Sequence, residues 1–241
     1  PSSYIIDEKV LRCETIIQDC LGLYVEVLGE QFSFTQGDTL ALKANLINRS
    51  ELNVKLTKIE MSTGESREFN DTLVFNTNLA IDLFSSGKAP ISNPYWLNEP
   101  FVNVFKVKDP ANLCAPESPS SIDIQFTLSV DDEEFTLSVP ATYKWRDPSY
   151  GERRRPLIST PAYSASFEQQ QLLIKPGEQK EIRVKVKSFK DSLSTTLNIS
   201  APDGWNISPK SIAVEFNEMH AEEWFVFKVQ ADKDAKPGSI F

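Results

Sequence analysis

The sequence predicts a mainly β protein of two tandem sandwiches behind a single N-terminal helix, and three observations carry that prediction. Apolar residues recur at a period near 3.5 only over the first twenty-odd positions. Beyond them the period falls to two, in short runs broken by Gly, Pro, Asn and Asp. One pattern then occurs twice: "FSFTQGDTLALKANLINRSELNVKL" (32–56) and "LLIKPGEQKEIRVKVKSFKDSLSTTL" (172–197) share a strand, a turn ending Gly-Asp or Gly-Glu, an alternating strand, a polar loop and a second alternating strand. In immunoglobulin-like and fibronectin III-like sandwiches such a unit supplies early strands to both sheets, so two copies predict two sandwiches. A chain of 241 residues, 40% hydrophobic and 24% charged, has the apolar content to give each a core.

The helix is read in "DEKVLRCETIIQDCLGL". Ile6, Val10, Cys13, Ile17 and Cys20 are spaced 4, 3, 4 and 3 apart and share one face, with Asp7 expected as N-cap and Gly22 as the stop. Such a stripe has to be buried against the sandwich that follows or a domain upstream. On a helix over 7–21, Cys13 and Cys20 lie two turns apart, about 10 Å along the axis, which is too far for a disulfide. With Cys114 unmatched, three free and mostly buried thiols are expected.

Residues 1–22 are thus a connector helix and 23–146 the first sandwich, with turns at Leu28-Gly29, Gln36-Gly37-Asp38 and Asn48-Arg49-Ser50. "YKWRDPSYGERRRPL" (143–157) is rich in prolines and ionisable side chains, which suits an exposed connection; 147–155 is read as a linker, Arg153-Arg154-Arg155 included. The second sandwich occupies 156–241, its last strand cut short at "DAKPGSIF". With no initiator Met and no leader before "PSSYIIDEKV", the ends suggest an excised or processed chain.

Composition excludes several functions. A net charge of −9 argues against nucleic acid, which needs a Lys/Arg-rich face. No run of about twenty apolar residues is present to span a membrane. The single histidine, His220, cannot supply the two or three imidazoles usual at hydrolytic zinc and is read as part of a polar turn. Asp131-Asp132-Glu133-Glu134 lacks the spaced ligands and central glycine of a calcium loop and is read as a hairpin turn. Neither a Gly-x-Ser-x-Gly elbow nor a Gly-rich phosphate loop occurs. No catalytic residue and no metal ligand is assigned to this chain.

Aromatic residues are the remaining candidates. Leaving about 200 Å² of a tryptophan in water forgoes about 5 kcal/mol, so Trp205 and Trp224 are expected to pack in the core or at a sandwich end. "ISNPYWLNEP" (91–100) reads as a long connection between strands in which Pro94 holds an extended segment and Tyr95 and Trp96 cap the core. Tyr95, Trp96 and Tyr150 are also the candidate ligand-binding residues, as stacking faces for a sugar.

The ordered series "LINRS", "ISNPYWL" and "SVPATYKWRDPSYGERRRPL" resembles the region behind the catalytic domain of multidomain, Bacteroidetes-type members of the PIG-L family, the zinc-dependent N-acetylglucosaminyl deacetylase-like hydrolases, over about residues 5–160. From Pro156 onward, Pro176-Gly177-Glu178, Pro202 to Trp205 and Pro237-Gly238 resemble the NPCBM-associated, α-galactosidase-type immunoglobulin-like domain found beside carbohydrate-active enzymes. The family's zinc-binding His-Pro-Asp-Asp run is absent. The resemblance therefore implies a catalytic domain upstream of Pro1, with zinc only there, and a non-catalytic accessory role for this chain, which has no cofactor of its own. It implies a bacterial protein of the periplasm or exterior whose partners are that domain and, through the exposed aromatics, a glycan. The four Asn-x-Ser/Thr sequons, at Asn48, Asn70, Asn198 and Asn206, are incidental in such a setting.

Overall fold

A computed structural model describes residues 2–131 and 133–235. It is mainly β, with one α-helix near the N-terminus and two compact units, Pro1–Thr160 and Pro161–Phe241. The turn expected at Pro237-Gly238 lies outside the described residues.

Helix α1 (Ser2–Cys20) starts five residues before Asp7, which is interior rather than capping. Its end is as read. Gly22 adopts φ +53°, its N–H reaches the Asp19 carbonyl at 3.0 Å and the Leu23 N–H reaches Gln18 at 3.0 Å. That pair of bonds is a Schellman stop, whose left-handed residue favours glycine. The helix's apolar stripe is not buried: Ile6, Val10 and Ile17 are 60%, 49% and 40% exposed, and Cys13 and Cys20 are exposed with them. Cys114 is exposed too, so the three thiols are free but not buried as expected. Spacing reports that a stripe exists and carries no information on what covers it.

In the first unit a ladder runs β5 (Ser66–Thr72), β4 (Val54–Met61), β7 (Asp123–Val130), β8 (Glu133–Asp147), β1 (Tyr24–Gly29), β3 (Leu40–Ile47), β6 (Asn78–Ser85). Strand β9 (Gly151–Pro156) pairs with β8, and β10 (Ile158–Thr160) lies parallel to β2 (Ser33–Thr35). The long β8 serves both halves, antiparallel to β7 and parallel to β1. Inward positions alternate, as in the BiBeBiBi pattern of β3, where B is buried and e exposed, and they close on a core holding Leu46, Leu56, Ile124 and Phe126. A fully buried Phe of this kind contributes about 2–3 kcal/mol by transfer from water.

The second unit has its own core around Val186, Val214, Phe227 and Val229. Its strands are β11 (Tyr163–Phe167), β12 (Gln179–Ser188), β16 (Glu222–Ala231) and β14 (Trp205–Ser208) in one sheet, with β13 (Leu193–Asn198) and β15 (Ser211–Phe216) in another. The internal repeat has a direct structural counterpart. The Asp38 N–H bonds the Thr35 carbonyl and the Glu178 N–H bonds Lys175, while Gly37 and Gly177 take φ +86° and +80° at the equivalent place in each turn. In both copies the two alternating strands that follow, β3 and β4 or β12 and β13, pair with other strands and not with each other.

Two further expectations change. Residues 147–155 are not a linker. Lys144, Trp145, Arg146 and Asp147 pair with Arg154, Arg153, Glu152 and Gly151, so the stretch is the tip and return arm of the β8–β9 hairpin, and the units divide at Thr160/Pro161. Its arginines are tolerated in a strand because they stand on an exposed edge. Trp224 is not packed inside. It is 40% exposed, on the outward phase of β16, while Phe227 and Val229 on the inward phase are fully buried. Arg183 and Lys185 lie 4.7 and 5.9 Å from its ring centre and cover it with their charged ends. Trp205 is partly buried against the second core, as expected.

Candidate functional site

The connection from β6 to β7 (residues 86–122) is far longer than a strand-to-strand turn requires, and connections of that length usually have a role of their own. It is pinned at its start. Gly87, at φ +61°, accepts from the Gly37 N–H at 2.9 Å and donates to Ser85 Oγ at 3.2 Å, and Gln36 Nε2 donates to the Ala89 carbonyl at 3.0 Å. Further on, the Ser92 N–H donates to the Ser159 carbonyl and the Ser159 N–H to Ser92 Oγ, both at 2.9 Å, which fastens the loop to β10.

Pro94 holds φ −53° and ψ 128°, the extended conformation expected of it, and opens a single 3-10 turn, Tyr95–Leu97. Tyr95 is anchored: its N–H donates to Ser118 Oγ at 3.0 Å and its hydroxyl to the Ala115 carbonyl at 3.1 Å. The Trp96 ring meets it edge-on, centroids 4.9 Å apart. No residue of the turn is buried, and neither aromatic belongs to the core cluster, so the expected core cap is not formed. Instead Trp96, 37% exposed, lines a cavity of about 390 Å³ with Pro94, Pro116, Pro119, Arg155 and Pro156.

Tyr150 stands elsewhere, in the β8–β9 turn, 74% exposed and not among the cavity's lining residues. That turn is fixed by Asp147, whose Oδ1 accepts the N–H groups of Ser149 and Tyr150 at 2.8 and 2.9 Å. The structure thus brings Tyr95 and Trp96 together and leaves Tyr150 in a different element.

The sequence reading missed the row between them. Cross-strand pairing sets Tyr143 opposite Arg155 and Trp145 opposite Arg153, on one face of the hairpin. The Tyr143 and Trp145 rings stack with centroids 5.8 Å apart at 18°, Arg153 lies 5.3 Å from the Tyr150 ring centre, and Arg155 lies 3.8 Å from that of Phe32. The alternation Tyr143-Lys144-Trp145 against Arg153-Arg154-Arg155 was the signal available.

Lys144 and Arg154 face the other way. There Glu26 takes Lys144 Nζ on both carboxylate oxygens, at 3.1 and 3.0 Å, and Arg154 at 3.1 Å. Burial pushes the Glu26 carboxyl up, but the bonds from Tyr24 and Lys144 and the charges of Lys144 and Arg154 outweigh it and hold the group below its ordinary range. The hydrogen bonds of Arg154 to Tyr24 and Glu152 raise its already high pKa.

His220 sits in a turn at φ +67°, its ring edge-on to Phe189, and Val130 pairs with Glu133 across the acidic hairpin turn. Among the described residues, no group of three or more His, Cys, Asp or Glu is placed to hold a metal ion. No helix among them is long and apolar enough to cross a membrane. No protein-family model matches the chain, and no curated protein matches it.

Proposed function

We propose that this chain is a non-catalytic accessory region that spaces, docks or stabilises the catalytic domain of a larger zinc-dependent sugar N-deacetylase-like hydrolase, in the bacterial periplasm or outside the cell. The observation that supports this reading is the exposed apolar surface of the first unit. On α1 the stripe of Ile6, Val10 and Ile17 faces water, and in the β6–β7 connection Phe101, Val102, Val104 and Phe105 are between 55% and 62% exposed. Clustered apolar exposure of this kind marks interaction surfaces. The resemblance names the partner.

The test is to produce the hydrolase domain and this chain as separate polypeptides. The chain is expected to co-purify with the hydrolase domain and raise its unfolding temperature, and Ile6→Asp with Ile17→Asp is expected to abolish both effects while leaving the chain's own melting unchanged. A hydrolase domain that neither retains the chain nor gains stability from it would sink the reading.

A second reading is favoured by the Trp96 cavity. At about 390 Å³ it falls within the roughly 300–1,000 Å³ usual for small-ligand sites, and an aromatic face with flanking hydroxyls suits a sugar ring. Retardation in glycan-loaded gels that is lost in Trp96→Ala would support glycan binding there, and unchanged mobility in every glycan would exclude it.

A further inference from the structure

Arg153 and Arg155 stand two residues apart on one strand, so their side chains leave the same face about 6.6 Å apart. Neither pairs with a carboxylate among the described residues, although the chain carries 34 Asp and Glu. Their neighbour Arg154, on the opposite face, is held by both Glu26 and Glu152. Contact with the Tyr150 and Phe32 rings places each guanidinium while leaving its N–H edge available, and that planar edge matches a carboxylate with two parallel hydrogen bonds. Across the hairpin from the cations stand the rings of Tyr143 and Trp145, and Arg155 also lines the cavity that holds Trp96.

We propose that this face of the β8–β9 hairpin, continuing through Arg155 into the Trp96 cavity, binds an acidic polysaccharide, with Arg153 and Arg155 pairing to the carboxylates of uronic acid units and Trp145, Tyr150 and Trp96 receiving the sugar rings. The inference rests on the glycan-binding reading and adds the class of glycan. A polyphosphate chain is a poor fit, since two unpaired arginines on a protein of net charge −9 neutralise too few phosphates. A carboxylate-bearing sugar needs only one cation per contact and uses the rings that stand opposite them on β8.

The experiment is affinity electrophoresis of the whole chain in gels containing polygalacturonate, alginate, neutral galactomannan or polyglutamate, with the dissociation constant taken from mobility. Polygalacturonate or alginate is expected to bind at least about tenfold more tightly than galactomannan, with weakening between about 50 and 200 mM salt. Arg153→Gln with Arg155→Gln is expected to remove that preference. Arg155→Lys, which keeps the charge and loses the fork, is expected to weaken binding by about threefold or more.

Arg153 is exposed, so Arg153→Gln alone serves as the test if the double variant fails a thermal-unfolding check. Equal binding of galactomannan and the acidic glycans, unaffected by the arginine substitutions, would overturn the uronate assignment and leave the glycan reading standing. Equal retardation by polyglutamate would replace the sugar with an acidic peptide. Retardation by none of the four would overturn both readings.

Discussion

Glu26 and Lys144 are 118 residues apart in sequence and meet in two hydrogen bonds, of 3.1 and 3.0 Å. The carboxylate side chain is only 8% exposed, and it also accepts Tyr24 Oη at 2.7 Å and Asn45 Nδ2 at 3.3 Å. One acidic group on β1 thus ties down β3, β8 and β9. Glu26→Gln removes the shared countercharge and leaves Glu152 as the remaining carboxylate, 2.8 Å from Arg154 and 3.9 Å from Lys144. Because both cations keep partial contact with water, the expected loss is about 2–3 kcal/mol, below the full cost of an unpaired buried charge. Urea unfolding of the variant measures it.

Glu65 sets a pH dependence. Burial pushes its carboxyl up, but the bonds from the Ser86 N–H at 2.7 Å and from the Thr63 hydroxyl outweigh that and hold it at about 2. Since the folded value lies below the ordinary 4.5, its contribution to stability is complete above the ordinary value and is lost as pH falls toward 2. Wild-type stability is expected to drop between about pH 5 and pH 2, and Glu65→Gln to flatten that drop by about 1–2 kcal/mol after allowance for screening. Unfolding curves at stepped pH would refute this if the two proteins lost stability in parallel.

Gly87 has no room for a side chain. A Cβ there would lie 2.2 Å from the Asp38 carbonyl oxygen, and φ is already +61°. Gly87→Ala is therefore expected to cost about 3 kcal/mol or more, because backbone has to move. At Gly37, with φ +86° but open space around it, alanine is expected to cost only about 1 kcal/mol. Similar losses at the two positions, in denaturant titrations, would contradict the crowding at Gly87.

Two aromatics on one strand are expected to behave oppositely. Phe227→Ala empties a fully buried site and is expected to cost about 3–5 kcal/mol. Trp224→Ala removes a surface ring under Arg183 and Lys185 and is expected to cost about 1 kcal/mol or less. A loss at Trp224 as large as that at Phe227, followed by circular dichroism, would mean that the outward phase of β16 is covered.

Local signals in the sequence were readable where a short-range rule governs the conformation. The Gly22 stop, the paired turns at Gly37 and Gly177 and the alternation of β3 and β12 all follow from backbone freedom or from period. Errors arose where the outcome depends on a distant partner. Alternation in "EEWFVFKV" gave two faces but not which one meets the core, and Trp224 fell on the outer one. Charge and proline content suggested a linker at 147–155, yet cross-strand pairing with β8 made it a strand, since an edge tolerates arginine. Tyr95 and Trp96 were found by composition. The grouping of the Phe32, Tyr143 and Trp145 rings around the arginines was not, because only the fold aligns Tyr143 with Arg155 and brings Phe32 to the same place.

The parallel pairings of the first unit bear on how its two ends form. The chain enters its sheets through β1, which lies parallel to β8, and leaves through β10, which lies parallel to β2. Both ends of the first unit are thereby joined to strands far away along the chain, β1 to β8 and β10 to β2, so neither end forms on its own before the loop between the partners closes.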